Sequence, residues 1–371
     1  MHRPQSMVVS SLVVASLALI NIVPAQAFIL PPQFFKYAAS KTLDNPGIVL
    51  IDPTTDQTLF SIGADVGRAP ASVLKLFSMS TVLNVLSSDL TFKTSISETD
   101  TPDKFIIVGN GDPWITESTY EASKYHRAFF PTLINRLLAL RPGLRTITLE
   151  YHNVYAQDIH ALQRYFSGRL IIHAVKVNTA ATAKGAVASI ESPTLAKIIE
   201  FTLLYSDNVL ADRLARTAAH TMGFPTTNAG IQAAFDKTLA GLGISSKGLK
   251  VQDGNGLSHK TRVTVRQITD LLLAIRTNPK FKVILAGLPI SGETGTLKNR
   301  FVNDAPTAVG LVHAKTGWIN TTVSLAGFVT VGSSQYVFAV VANHIHNLES
   351  ARQAARVTID QMLGTIAKPL T

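Results

Sequence analysis

The chain contains no cysteine. Disulfides, thiol nucleophiles and cysteine-ligated zinc are therefore excluded. Charged residues make up only 16% of the sequence and aromatic residues 7%, and neither kind is gathered into runs. Dispersed basic residues without interleaved aromatics argue against a nucleic-acid-binding face. Low-complexity sequence is absent, and nothing repeats at the periods of solenoids or propellers. Beyond residue 27 no apolar run is long enough to cross a bilayer. What remains is a chain of 371 residues, 46% of them hydrophobic. That length buries one large core with a smaller lobe beside it. The formal net charge is +10. Such an excess either keeps the chain soluble or draws it to a polyanion, which for an exported protein means an anionic cell-wall polymer or a lipid surface.

The longest apolar segment lies at the start. His2 and Arg3 precede residues 7–23, which are apolar apart from Ser10, Ser11, Ser16 and Asn21. Ala25-Gln26-Ala27 follows as a small-x-small cleavage site. Residues 1–27 are thus expected to be a secretory signal peptide, placing the mature chain in an extracytoplasmic cell-wall space. An uncleaved anchor or a buried helix would use the same apolar run, but neither needs the cleavage site.

Short strands are expected at residues 48–51 and 58–62, joined by the turn Asp52-Pro53-Thr54-Thr55-Asp56. From Ser72 to about Leu86 the pattern is helical and apolar on all sides, the mark of a buried helix. Residues 105–108, 145–149 and 169–177 read as strands, and 125–140 as a helix. Residues 87–186 therefore read as a separate α+β insert. Helices are expected at 193–204 and 209–222, strands at 308–314, 322–331 and 336–341, and a last helix at about 348–366. The fold class is α/β layered (α+β), with roughly five strands and several helices in a discontinuous core, residues 28–86 and 187–371.

Three short motifs carry chemistry. Ser72-Val73-Leu74-Lys75 opens the buried helix, and a spacing of three puts both polar side chains on one face. A serine hydroxyl is a weak nucleophile until a neighbouring base takes its proton. A lysine in a desolvated pocket, its pKa lowered, is such a base. Ser72 also sits where the helix dipole favours developing negative charge. Ser206-Asp207-Asn208 interrupts two helical runs. It reads as an ordinary capping loop, or as a loop presenting Ser206 to relay a proton and Asn208 to hold Lys75 and the substrate amide. Lys315-Thr316-Gly317 ends a strand-like run. It reads as a surface lysine before a turn, or as an edge strand that pairs with an extended peptide. In the second case Lys315 and Thr316 receive a carboxylate, Gly317 admits the substrate backbone, and the N–H groups of Ser72 and Trp318 form an oxyanion hole.

Each motif is short enough to arise by chance; the ordered trio is not. It is similar to the set shared by penicillin-binding proteins and serine β-lactamases. Gly109-Asn110-Gly111-Asp112-Pro113, Asp253-Gly254-Asn255-Gly256-Leu257-Ser258 and Gly295-Thr296-Leu297-Lys298-Asn299-Arg300 resemble signature segments of one branch, the D-alanyl-D-alanine carboxypeptidase/endopeptidase family of class C low-molecular-mass penicillin-binding proteins. Glu191-Ser192-Pro193 fits the same pattern. The resemblance implies a penicilloyl-serine-transferase fold, with a five-stranded antiparallel sheet between helices and a cleft at its edge strand. It implies a serine D,D-peptidase acting on peptidoglycan stem peptides and acylated by β-lactams. Ser72, Lys75, Ser206, Asn208 and Lys315 would be catalytic, Thr316, Gly317 and Trp318 would bind substrate, and no metal or organic cofactor would be needed. Members of the family usually carry a longer insert; here 134 positions separate Ser72 from Ser206, so one inserted domain is reduced or lost. Asn255 stands where the family commonly has serine.

Three rival readings are weaker. The β-lactamases with a Ser-Asp-Asn loop use a glutamate beyond it to activate water, and between Glu200 and Glu293 this chain has none. A non-catalytic wall-binding module of the same fold would be expected to have lost a motif residue, yet all are present. A metal enzyme would need a third ligand beside His344 and His346, and the sequence suggests none.

Overall fold

The computed structural model describes residues 28–180 and 183–370. The expected signal peptide, residues 1–27, lies outside them. In chain order the elements are α1 (Pro32–Ala38), β1 (Gly47–Asp52), β2 (Gln57–Ile62), α2 (Lys75–Val85), β3 (Lys93–Glu98), β4 (Lys104–Gly109), β5 (Ile115–Thr116), α3 (Thr119–Tyr125), β6 (Ala128–Phe129), α4 (Pro131–Leu140), β7 (Thr146–His152), α5 (Ala156–Phe166), β8 (Ile171–Lys176) and β9 (Ala186–Glu191). They continue with α6 (Leu195–Leu204), α7 (Asn208–Thr221), α8 (Asn228–Gly241), α9 (Val265–Arg276), α10 (Lys282–Ala286), β10 (Val312–Ile319), β11 (Thr322–Val331), β12 (Ser334–Ala342) and α11 (Glu349–Gly364).

The first sheet has five strands in the order β10-β11-β12-β1-β2, every neighbour antiparallel. Period-2 alternation sends its apolar side chains to two cores. On β1, Ile48 and Leu50 join the core under α1 and α11, while Val49 and Ile51 join the core under α2 and α6–α10. Both faces are covered, so the central strands read as unbroken apolar runs. Helix α2 crosses the middle of this helical layer, with Lys75 and the eight residues after it all buried. This is the mixed α+β fold, an antiparallel five-stranded sheet between helices, that the sequence implied.

The second sheet runs β8-β7-β4-β3-β9 and is mixed. β3 pairs antiparallel with β4 and β9, whereas β4, β7 and β8 are parallel. Parallel neighbours need crossovers, which α4 and α5 supply; their apolar faces make a third core with Ile96, Phe105, Ile107, Ile147 and Leu149. The unit is anchored to the helical layer. Trp114 meets Phe201 of α6 edge-on at 5.0 Å, and Arg213 of α7 donates to Asp158 of α5 at 2.6 and 3.0 Å.

Some local expectations are corrected. Residues 125–140 are not one helix: His126 turns left-handed, β6 intervenes, and Pro131 starts α4 at the first helical position that suits it. Ser72 lies in a 3₁₀ turn, Ala71–Leu74, which precedes α2. Lys315-Thr316-Gly317 falls inside β10 rather than at a strand end, because residues 308–311 are still turn and loop.

Candidate active site

The turn before Ser72 is held by β11 and by the residue that follows β12. Ala71 has φ +50°, a conformation costly for a residue with a side chain. Ser324 of β11 donates its hydroxyl to the Pro70 carbonyl at 2.7 Å. The Asn343 amide grips both polar groups of Ala69, accepting from its N–H at 2.8 Å and donating to its carbonyl at 3.0 Å. In the 3₁₀ turn that follows, side chains at i and i+3 eclipse. The Lys75 amine therefore sits on the Ser72 hydroxyl, at 2.8 Å.

Lys75 is fully buried. Its amine also donates to Asn208 Oδ1 and to the Asn255 carbonyl, both at 2.8 Å, which uses all three donors of an ammonium. Burial pushes its pKa down to about 7, against the charges of Asp207 and Asp253. Asn208 is the first residue of α7, whose N-terminus is capped by Asp207 accepting from Leu210 N–H at 2.9 Å. Ser206 just before it has φ +60° and faces the same cleft.

The Asn255 contact depends on a tight loop. Asp253 accepts from Gly256 N–H at 2.7 Å and from Ser258 N–H at 2.8 Å, and Asp212 of α7 accepts from Gly254 N–H at 2.8 Å. Gly256 has φ +85°, and a Cβ there would lie 2.0 Å from the Ala71 carbonyl oxygen. Only glycine fits a position both left-handed and in contact with the Ser72 turn. The loop thus braces Ala71 and aims a backbone carbonyl at Lys75. Side-chain motifs carry no mark of such a contact, and the sequence marked this segment only as part of a family signature.

β10 is an edge of the first sheet. Residues 289–291 cover its beginning: Ser291 N–H donates to the Val312 carbonyl and Ala314 N–H to the Pro289 carbonyl, each at 2.9 Å. From Lys315 to Ile319 the described pairing is to β11 alone. A cleft of about 340 Å³ opens along this stretch, with Ser72, Ser206, Asn208, Thr316, Gly317 and Trp318 on its walls. Lys315 is buried behind that wall; its amine donates to the Thr316 carbonyl at 3.0 Å, and burial together with the Lys75 charge holds its pKa well below the usual value. Thr296, Arg300 and Arg356 complete the far end, where the Thr296 and Thr316 hydroxyls lie 2.8 Å apart. The sequence reading quoted Thr296 and Arg300 only as part of a signature and did not reach Arg356. None of the cleft-lining residues is a carboxylate. The described residues hold no cluster of three His, Asp or Glu side chains of metal-binding geometry.

Gly317 is fixed by close approach. A Cβ there would lie 2.1 Å from Ser324 Oγ and 2.8 Å from the Pro70 carbonyl oxygen. Gly317→Ala should push β10 away from the Ser72 turn and cost about 1–3 kcal/mol, read as a lower urea midpoint. An unchanged midpoint would mean the turn shifts freely.

The sheet, the helix buried across it and the serine–lysine pair at its open edge define the penicillin-binding class of fold. The chain belongs to the D-Ala-D-Ala carboxypeptidase 3 (S13) family, whose pattern matches residues 140–366. That span includes Ser206–Asn208 and Lys315–Gly317; Ser72 and Lys75 precede it and are brought to them by the fold. Among relatives, a carboxypeptidase DacB of Mycolicibacterium smegmatis is 32% identical over 185 residues, covering 48% of this chain and 39% of that protein. A D-alanyl-D-alanine carboxypeptidase of an Actinomadura species is 34% identical over 158 residues, 41% of this chain and 29% of that one. The matches therefore span well under half the length of these curated relatives. Among solved structures, penicillin binding protein 4 of Haemophilus influenzae complexed with a β-lactam superposes with TM-score 0.70 at 17% identity, covering 89% of this chain and 98% of that one. A penicillin G-acylated predatory endopeptidase of Bdellovibrio bacteriovorus gives 0.63 at 16% identity, covering 87% and 93%. At such identities the likeness establishes the fold.

Proposed function

We propose that this chain is an exported serine D,D-peptidase that cleaves peptidoglycan stem peptides ending in, or cross-linked through, D-Ala, by way of an acyl-enzyme on Ser72. The observation that carries the reading is the Lys75 amine, buried, depressed to a pKa of about 7 and 2.8 Å from Ser72 Oγ, beside an unpaired stretch of edge strand. A buried amine near neutrality is a base at working pH. The named activities of the curated relatives support the same reaction, and the β-lactam complexes of the two structural neighbours support acylation by β-lactams.

The substrate lies extended along β10, its backbone pairing with residues 316–318. Lys75 takes the Ser72 proton, and Oγ attacks the penultimate D-Ala carbonyl. The N–H groups of Ser72 and Trp318 receive the oxyanion. The C–N bond then breaks, and the departing amine takes the proton held on Lys75, relayed through Ser206, with Lys315 assisting from behind the wall. Asn208 holds Lys75 in line. Lys75, neutral again, takes a proton from the attacking water and hands it to Ser72 Oγ as the ester bond breaks, so both groups end as they began. The second sheet and its helices correspond on this reading to the inserted domain expected at residues 87–186, carried on to Glu191 because β9 pairs with β3, and its small size bears on how large a substrate is admitted. The net charge of +10 suits attraction to an anionic wall polymer. No helix among the described residues is long and apolar enough to cross a membrane.

Incubating the purified protein with a fluorescent penicillin should give a stable covalent adduct that Ser72→Ala abolishes. Absence of an adduct with intact penicillin would favour a wall-binding module without turnover; absence with hydrolysed penicillin would favour a β-lactamase.

A further inference from the structure

Three arginines meet at the far end of the cleft. Arg352, Arg356 and Asp360 follow at four-residue spacing on α11, so they share one face of that helix. Arg300, from the segment after Gly295–Leu297, donates to the Asp360 carboxylate through both Nε and Nη2, and both partners are buried. Arg352 pairs with Glu349 at 2.9 Å and donates to the Asn320 carbonyl at 2.8 Å. Its guanidinium lies 5.3 Å from the Trp318 ring centre, and that of Arg356 lies 5.8 Å from it. Two of the three charges are therefore neutralised within the protein. Arg356 makes no ion pair and no side-chain hydrogen bond among the described residues, although it is half-buried and lines the same cleft as Ser72.

A partly desolvated guanidinium with five donors and no acceptor is unfavourable unless a ligand brings an anion. Burial and the adjacent Arg300 charge hold its pKa below the usual value, against the more distant charges of Asp360, Asp304 and Glu349, none of which pairs with it directly. The other basic side chain near the reacting serine, Lys315, is fully buried and donates to the Thr316 carbonyl. Thr316 offers a hydroxyl already engaged with Thr296. The free charge on the cleft wall is thus Arg356, planar and held in place against Trp318.

We propose that Arg356 receives the free carboxylate borne on the leaving side of the scissile bond, making it a specificity-determining residue. This rests on the reading of Ser72 as the acylated nucleophile. The ligand class is a D-amino-acid residue with an unblocked α-carboxylate, either a terminal D-Ala or the D-centre of a cross-linking diamino acid. A fork of two parallel hydrogen bonds fits that group, whereas a carboxamide presents one acceptor and no charge.

The test compares an acylated D-Ala-D-Ala peptide with the same peptide carrying a C-terminal carboxamide, on wild type, Arg356→Gln and Arg356→Lys. Wild type should prefer the carboxylate. Arg356→Gln should lose about 10- to 100-fold in kcat/KM on the carboxylate, with little change on the carboxamide, and Arg356→Lys should fall between. Added guanidinium should restore part of the Gln variant's loss on the carboxylate alone. Equal losses on both peptides would assign Arg356 a structural role and overturn the proposal, as would no loss on either. Should the Gln variant fail to fold, the Lys variant carries the same comparison. Wild-type protein inert toward both peptides and unlabelled at Ser72 would overturn the reading of the site, and this proposal with it.

Discussion

Lys75→Ala should slow acylation of Ser72 by about 10²- to 10⁴-fold, measured as the second-order rate of adduct formation with a fluorescent penicillin. The loss comes from one contact, the 2.8 Å hydrogen bond between the amine and Oγ, in a cleft whose lining residues include no carboxylate. Lys75→Arg should fail almost as badly, because a guanidinium stays charged and cannot accept the proton. On the proposed mechanism the reactive form in the wild-type protein is the neutral amine. With a folded pKa of about 7, its fraction rises with pH, so the acylation rate should climb through about pH 7 and level off about a unit above it. The direction follows from burial, which disfavours the charged ammonium. An ordinary exposed lysine would instead put the rise near pH 10.4. A rate flat from pH 6 to 9, or a Lys75→Ala variant acylating at the wild-type rate, would remove Lys75 from the role of base. Asn208→Ala offers a graded companion: it leaves the base in place but removes one of the three acceptors that orient it.

Much of this site could be read from the sequence because its chemistry is written in side chains at short, fixed spacings. Ser72 and Lys75 are three apart, Ser206 to Asn208 break a helical pattern, and Lys315 to Gly317 lie in a run of β-branched and small residues. The buried helix announced itself by being apolar on every face, and α2 is indeed buried from Lys75 through Leu83. The central strands of the first sheet were legible as apolar runs because both faces are covered. β3 was not, since Lys93–Glu98 alternates threonine, serine and charge about a single isoleucine and takes its strand character from its neighbours β4 and β9. The single helix expected over residues 125–140 failed at Pro131, which fixes a helix start and so pushes what precedes it out of the helix. Two parts of the site had no local signal. The Asn255 carbonyl acts through its backbone, and Arg356 comes from a helix that begins more than thirty residues past Lys315. Long-range packing alone brings them in.

The same packing gives Asp158→Ala a large expected effect on stability. Asp158 on α5 and Arg213 on α7 form a two-pronged ion pair, at 2.6 and 3.0 Å, with both side chains about nine-tenths buried. The Tyr155 ring lies 4.1 Å beneath the guanidinium. Burial pushes the Asp158 carboxyl up while the Arg213 charge holds it down, so neither charge is comfortable without the other. Removing the carboxylate leaves a buried cation whose Nε already lacks a partner. The cost should be about 3–5 kcal/mol, read from urea unfolding at neutral pH. Pairing Asp158→Leu with Arg213→Met should recover most of that loss, because two apolar side chains need no desolvation to be repaid. The pair ties the second sheet to α7, and α7 begins at Asn208, which holds Lys75. A variant unfolding at the wild-type midpoint would mean water reaches Arg213 and the anchoring lies elsewhere, in Trp114 against Phe201. A large loss fully retained in the double variant would mean that the charges themselves, and not the penalty of stranding one of them, hold the second sheet against the helix that positions the base.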